Sequence, residues 1–198
     1  MKKTKVLLCV DPGKYNFAYS ILDTRGNLLD YMLMSSTFED LTCGEAVMAA
    51  RNKILAMIHN IHEKWPSDKY SFALIYERFI PRSMQRGNLG EIVNMCIGGL
   101  LFSFPQSNNT RMTVVPLNAA TWKNYVKKNA WAIENPTIPI HVLDSIMMGY
   151  YWMHKKEMLS SSAIVRNIKA INKKKYGWTF TKGIWVAPQQ RESSRRRK

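Results

Sequence analysis

The sequence predicts an α/β fold in which five strands form one mixed sheet flanked by helices. Three observations carry this expectation. Apolar runs of strand length alternate with segments of helical period, the first three runs are separated only by turns, and two of the runs end on a carboxylate.

Residues 6–11 are an unbroken apolar run closed by Asp11 and followed by Pro12-Gly13, which reads as a central strand and its turn. Residues 16–22 form a second strand. After the turn Thr24-Arg25-Gly26-Asn27, residues 28–34 form a third, so the first three strands make an antiparallel meander. In 42–65, Val47, Ile54, Ile58 and Ile61 are interleaved with Lys and Arg, the pattern of an amphipathic helix stopped by Pro66. Residues 72–76 are a fourth, buried strand that ends on Glu77, and 78–87 are a basic loop. Residues 89–104 read as a strongly apolar helix whose Gly98-Gly99 pair would let another backbone approach. Residues 112–115 give the fifth strand, ended by Pro116. A short helix over 118–128 capped by Asn118, a loop over 135–139 and a core helix over 141–158 complete the pattern.

The chain has 198 residues, 46% of them hydrophobic, enough for one well-buried core. Its net charge of +15 is lopsided: residues 155–198 hold 13 Lys or Arg against Glu157 and Glu192. The expected division is a main domain over 1–158 and a basic extension over 159–198. Residues 163–175 fit a basic helix, and the last ten are expected to be disordered. Such an excess points to anionic partners, either nucleic acid phosphates or a membrane surface. Cys9, Cys43 and Cys96 lack paired ligand spacing and read as reduced thiols. No apolar run is long enough for export or for a membrane span, so a soluble protein in a reducing intracellular compartment is expected.

If the strands ending on Asp11 and Glu77 are parallel neighbours, their carboxylates converge at one sheet edge, where functional groups gather in such folds. His141 and Asp144, three apart, share a helix face, and the apolar stretch behind them must pack inward. Carboxylates brought together repel unless a cation neutralises them, and oxygen ligands suit a hard ion such as Mg²⁺. Two such ions roughly 4 Å apart would clamp a phosphodiester for in-line attack by water.

These motifs resemble the RuvC family of Holliday junction resolvases. The resemblance lies in Val10-Asp11-Pro12-Gly13 with the Ala18-Tyr19 strand, the strand ending in Glu77, Pro116 followed by Trp122-Lys123, and His141-x-x-Asp144-Ser145, in order over residues 5–150. It implies an RNase H-like fold, a homodimer, and paired Mg²⁺- or Mn²⁺-dependent cuts in four-way DNA junctions, hence a part in DNA recombination and repair. Asp11, Glu77 and Asp144 would be metal ligands, His141 the fourth active-site position, Lys123 a basic residue near the scissile phosphate, and 89–104 the dimer helix. The short stretch between Lys123 and His141, with Trp131 and Pro136, and the basic tail depart from bacterial members. They suggest a divergent viral or phage-type member, acting in a host cytoplasm.

Blander readings stand beside these. Asp11 suits a strand-end turn, Glu77 beside Arg78 suits a surface ion pair, and His141 suits a satisfied histidine near a helix start, imidazole being a poor Mg²⁺ ligand. Phe79, among Arg78, Arg82 and Arg86, either stacks on an unpaired base with the arginines on phosphates or folds back onto the core. The clusters of the tail, Lys173, Lys174 and Lys175 among them, suit sequence-independent phosphate binding. Rival functions are a nuclease of the same type acting on flaps or structured RNA, a sugar-kinase-type phosphotransferase, and a non-catalytic nucleic-acid-binding protein. Lys14-Tyr15 after Gly13, where such kinases carry small phosphate-gripping residues, speaks against the phosphotransferase.

Overall fold

The computed structural model describes residues 3–13, 16–35, 43–78, 89–103, 113–176, 179–181 and 184–186. The strands are β1 (Thr4–Pro12), β2 (Asn16–Asp23), β3 (Leu28–Ser35), β4 (Tyr70–Arg78), β5 (Thr113–Asn118), β6 (Thr179–Thr181) and β7 (Ile184–Val186). The helices are α1 (Cys43–Lys64), α2 (Leu89–Ser103), α3 (Ala119–Lys128), α4 (Ile140–Lys155) and α5 (Ser161–Lys173). All seven strands join one sheet in the order β5-β4-β1-β2-β3-β7-β6.

The first five strands form the expected mixed sheet, with β1, β2 and β3 antiparallel and β4 and β5 parallel to β1. Alternation along β1 divides the core into two layers. Val6, Leu8 and Val10 pack with Ile54, Met57, Ile58 and Ile61 of α1, and with Cys96 and Leu100 of α2. Leu7 and Cys9 face the other way, onto Val142, Ile146 and Met153 of α4. Helix α4 lies so close to the sheet that a Cβ on Gly149 would collide with Leu22 and come within 2.8 Å of the Cys9 sulfur.

Two local readings are corrected. Pro116 does not end the fifth strand but sits inside it, opposite Tyr76, because β5 is an edge strand and tolerates a residue without an N–H donor. The strand therefore runs on to Asn118, whose side chain accepts from Ala120 N and starts α3. Of the glycine pair in α2, Gly99 faces the Ile54 side chain at 3.8 Å and Gly98 faces open space among the described residues. The helix begun near His141 stops at Lys155, and Glu157 takes a left-handed turn (φ 56°) before α5. Residues 184–186 add strand β7 to the free edge of β3 through Leu33↔Trp185 and Met34↔Ile184. Three-residue strands have no period to read in a sequence; the open edge supplies their template.

The basic extension shares the main core. Ile164, Ile168 and Ile171 of α5 and Tyr176 are buried in the same cluster as α4. Among the described residues, no helix is long and apolar enough to cross a membrane. The last ten residues, like Phe79, Arg82 and Arg86, lie outside the described residues.

Candidate active site

Parallel pairing of β1 with β4 runs in register to Val10↔Tyr76, so Asp11 and Glu77 are the next residues of two adjacent strands. Leu7, Cys9, Ala73 and Ile75 belong to the α4 side of the core, and Asp11 and Glu77 continue that alternation onto the same face. The unbroken apolar character of both runs is what makes them central strands, and this places the two acids together.

Helices α4 and α3 complete the cluster. His141 and Asp144 lie in the first turns of α4, above the ends of these strands. His141 Nδ1 is 2.8 Å from Asp11 Oδ2; since the carboxylate accepts, this nitrogen carries the proton. From α3, the indole N–H of Trp122 donates to Glu77 Oε2 at 3.1 Å. The Lys123 ammonium donates to Asp144 Oδ2 at 2.9 Å and lies 3.9 Å from Glu77 Oε2. All five expected active-site residues, Asp11, Glu77, Lys123, His141 and Asp144, thus meet at one end of the sheet.

Trp122 is the member that sequence reasoning left without a role. A buried tryptophan needs an acceptor for its N–H, but both its burial and the place of Glu77 are set by the fold, and the sequence offered only its adjacency to Lys123. A groove of about 480 Å³, lined in part by Trp122, Lys123, Lys127, Trp131, Asp144 and Met147, opens beside the acids.

The cluster carries more negative charge than its surroundings favour. Burial raises the Glu77 carboxyl above its ordinary range and the Asp11 charge adds to this, against the pull of Lys123 and the Trp122 hydrogen bond. Burial also raises Asp144, opposed by its hydrogen bond to Lys123. His141 is raised chiefly by its bond to Asp11. For Lys123, burial acts downward but is outweighed by Asp144, Glu77 and Asp11, and the net shift is upward.

Among the described residues, no three His, Cys, Asp or Glu side chains are grouped tightly enough to hold a metal ion as they stand. The positive charge that Glu77 and Asp144 share is the Lys123 ammonium. In kind the donors suit a hard divalent ion, being carboxylate oxygens whose burial leaves charge to be neutralised. In arrangement, as they stand, they are not drawn together closely enough for one.

Of the other expected binding residues, Arg78 is exposed at the end of β4, and Lys173, Lys174 and Lys175 are exposed at the end of α5. None of the four bonds to the acid cluster.

No protein-family profile matches the sequence, and no curated protein matches it. Solved structures do. RuvC of Thermus thermophilus in complex with a Holliday junction substrate superposes with a TM-score of 0.56 at 12% identity, covering 77% of this chain and 96% of that one. The fold is that of RuvC. A second Thermus thermophilus RuvC structure gives a TM-score of 0.54 at 13% identity, with the same coverage of both chains. The yeast mitochondrial Holliday junction resolvase Ydc2 gives 0.50 at 10% identity, covering 87% of this chain and 83% of that one. The likeness is one of architecture, an RNase H-like sheet with its helices. These bacterial and mitochondrial neighbours lend no support to the viral or phage-type origin.

Proposed function

We propose that the protein is an endonuclease that resolves four-way DNA junctions by paired phosphodiester hydrolysis, using Mg²⁺ or Mn²⁺. The observation that carries this reading is the meeting of Asp11, Glu77 and Asp144 with His141 and Lys123 at one sheet end. The fold the chain shares with RuvC, whose solved complex holds a Holliday junction, supports a branched-DNA substrate.

Asp11, Glu77 and Asp144 would hold the ions, two per site, which when bound would supply charge neutralisation and activation of water. The chain's own side chains do the positioning. Asp11 orients the His141 ring through Nδ1, leaving Nε2 free to position water or phosphate. Trp122 fixes one oxygen of Glu77. Lys123, released from Asp144, supplies a cation for the scissile phosphate.

Two cuts require two sites, which a symmetric homodimer supplies. Helix α2 offers the face for it: Met95 is 51% exposed and Phe102 91% exposed, with open space at Gly98 between them. An unpaired Phe this exposed, aligned with Met95 and Gly98 at helical spacing, is costly to leave in water.

A second reading is a non-catalytic DNA-binding protein of the same fold. It is favoured by the Lys123 ammonium, which already neutralises Glu77 and Asp144 in part. The deciding experiment compares cleavage of a four-way junction, a flap, a duplex and an RNA-containing duplex, with and without Mg²⁺ or Mn²⁺. Metal-dependent cutting of the junction in symmetric pairs is expected, and Asp11→Asn should abolish it while retaining junction binding. Equal cutting of all substrates would overturn the junction specificity, and no cutting of any would leave the non-catalytic reading.

A further inference from the structure

Helix α5 has two faces with different chemistry. Ile164, Ile168 and Ile171 are buried in the core. The outer face, Ser162, Val165, Arg166, Lys169, Ala170 and Lys173, lines a shallow groove of about 460 Å³. Arg166, Lys169 and Lys173 recur at intervals of three and four residues and so share one side of the helix. The helix contains no Asp or Glu, and among the described residues none of these three cations has an acidic partner.

The stripe is rigidly placed. Buried Asn135 donates from Nδ2 to Ile171 O at 2.7 Å and to Lys174 O at 2.8 Å, and its Oδ1 accepts from Thr137 N at 3.0 Å and Thr137 Oγ1 at 2.6 Å. Tyr176 N donates to Thr137 Oγ1 at 3.1 Å, and Asn167 Nδ2 to Arg25 O at 2.9 Å. Asn135 and Thr137 belong to the segment that leads into α4, whose second residue, His141, is bonded to Asp11. The lysine end of the stripe is therefore tied to the chain that builds the acid cluster.

We propose that the outer face of α5 is a docking surface for the phosphate backbone of a duplex DNA arm. The inference deepens the junction-nuclease reading and rests on it. From Arg166 to Lys173 the helix rises about 10 Å, the axial length of about three successive phosphates of one strand. The apolar face of α5 is committed to the core, so it has none to offer a lipid interior. Its outer face carries no aromatic ring on which unpaired bases would stack, which favours a duplex over a single strand. Cations without internal partners displace the counterions condensed on DNA phosphates, and that release is the source of the affinity.

The test uses the full chain without divalent ions, titrated with a four-way junction, a linear duplex and a single strand over a salt series by fluorescence anisotropy. It compares the wild type with Arg166→Gln/Lys169→Gln/Lys173→Gln and with a control of equal charge change, Arg51→Gln/Lys64→Gln/Lys69→Gln, on or next to α1. Losing about three phosphate contacts should flatten the slope of log affinity against log salt by about two to three for junction and duplex, with a loss of at least about tenfold in affinity. The control should flatten it by less than about one. Equal losses in both variants would reduce the effect to net charge and overturn the assignment, as would a loss confined to the single strand. If the wild type binds the junction and the α5 variant matches it in affinity and slope, the docking surface fails and the nuclease reading stands. If the wild type binds no DNA, both fail.

Discussion

His141 Nδ1 lies 2.8 Å from Asp11 Oδ2, joining the first turn of α4 to the end of β1 across 130 residues of sequence. The contact is both a tertiary clamp and a means of orienting an imidazole at the acid cluster. It is also pH-dependent. The His141 pKa is raised in the folded protein, so the stabilisation from its charged form is complete below the ordinary histidine value of about 6.5 and is lost as pH rises through the raised value.

His141→Gln should therefore lower Tm most at about pH 6, with the difference from wild type shrinking as pH rises past the raised histidine value. The expected loss is on the order of 1 kcal/mol, because the ring is partly exposed and the attraction is screened. Thermal melts of both proteins over that range check it. A difference that is constant with pH would show that the imidazole contributes packing alone.

Glu77 and Asp144 act in the opposite sense. Carboxyl groups raised above their unfolded values favour the protonated form when folded, so stability falls as pH climbs from the ordinary carboxylate range through the raised values. At pH 8 without metal, Glu77→Gln should raise Tm by roughly 1–3 °C, since it removes a half-buried charge while leaving an oxygen to accept from Trp122. Mg²⁺ should raise the Tm of the wild type and do so much less for this variant. Calorimetry with and without Mg²⁺ measures both, and equal responses would remove Glu77 from the ion site.

Trp122→Phe keeps most of the buried bulk and deletes one donor. Leaving Glu77 Oε2 without its indole partner should cost about 1 kcal/mol of stability. On the nuclease reading it should also lower the single-turnover cleavage rate by roughly tenfold while leaving junction affinity within about twofold, as expected for a residue that positions an acid. A change in affinity alone would assign Trp122 to substrate binding.

Phe102→Asp places a charge at the C-terminal end of the exposed face of α2. If that face joins two copies, the variant should be monomeric where the wild type is dimeric, measured by light scattering at micromolar concentration. Its Tm should change little, because the side chain touches little of its own protomer. An unchanged oligomeric state would exclude this face as the interface.

The pattern of apolar runs was enough for the strands of the five-stranded core and for helices α1 to α4, because burial on two faces or one leaves a period that can be counted. It also named Asp11, Glu77 and Asp144, since a carboxylate that closes a buried strand or interrupts a core helix has few structural reasons to be there. It did not give β6 and β7, too short to show a period, or the course of β5 through Pro116, which depends on that strand being at the edge. Nor could it reveal that the basic extension docks through Asn135 and three isoleucines onto the same core as α4. At the site, residue types alone proposed three acids and a metal. Only the fold decided that Lys123 already stands between two of those acids, that His141 is held by the third, and that Trp122 fixes Glu77. These are contacts between residues 21 to 130 positions apart, set by strand register and by the close seat that Gly149 gives α4 on the sheet, and local sequence carries no trace of either.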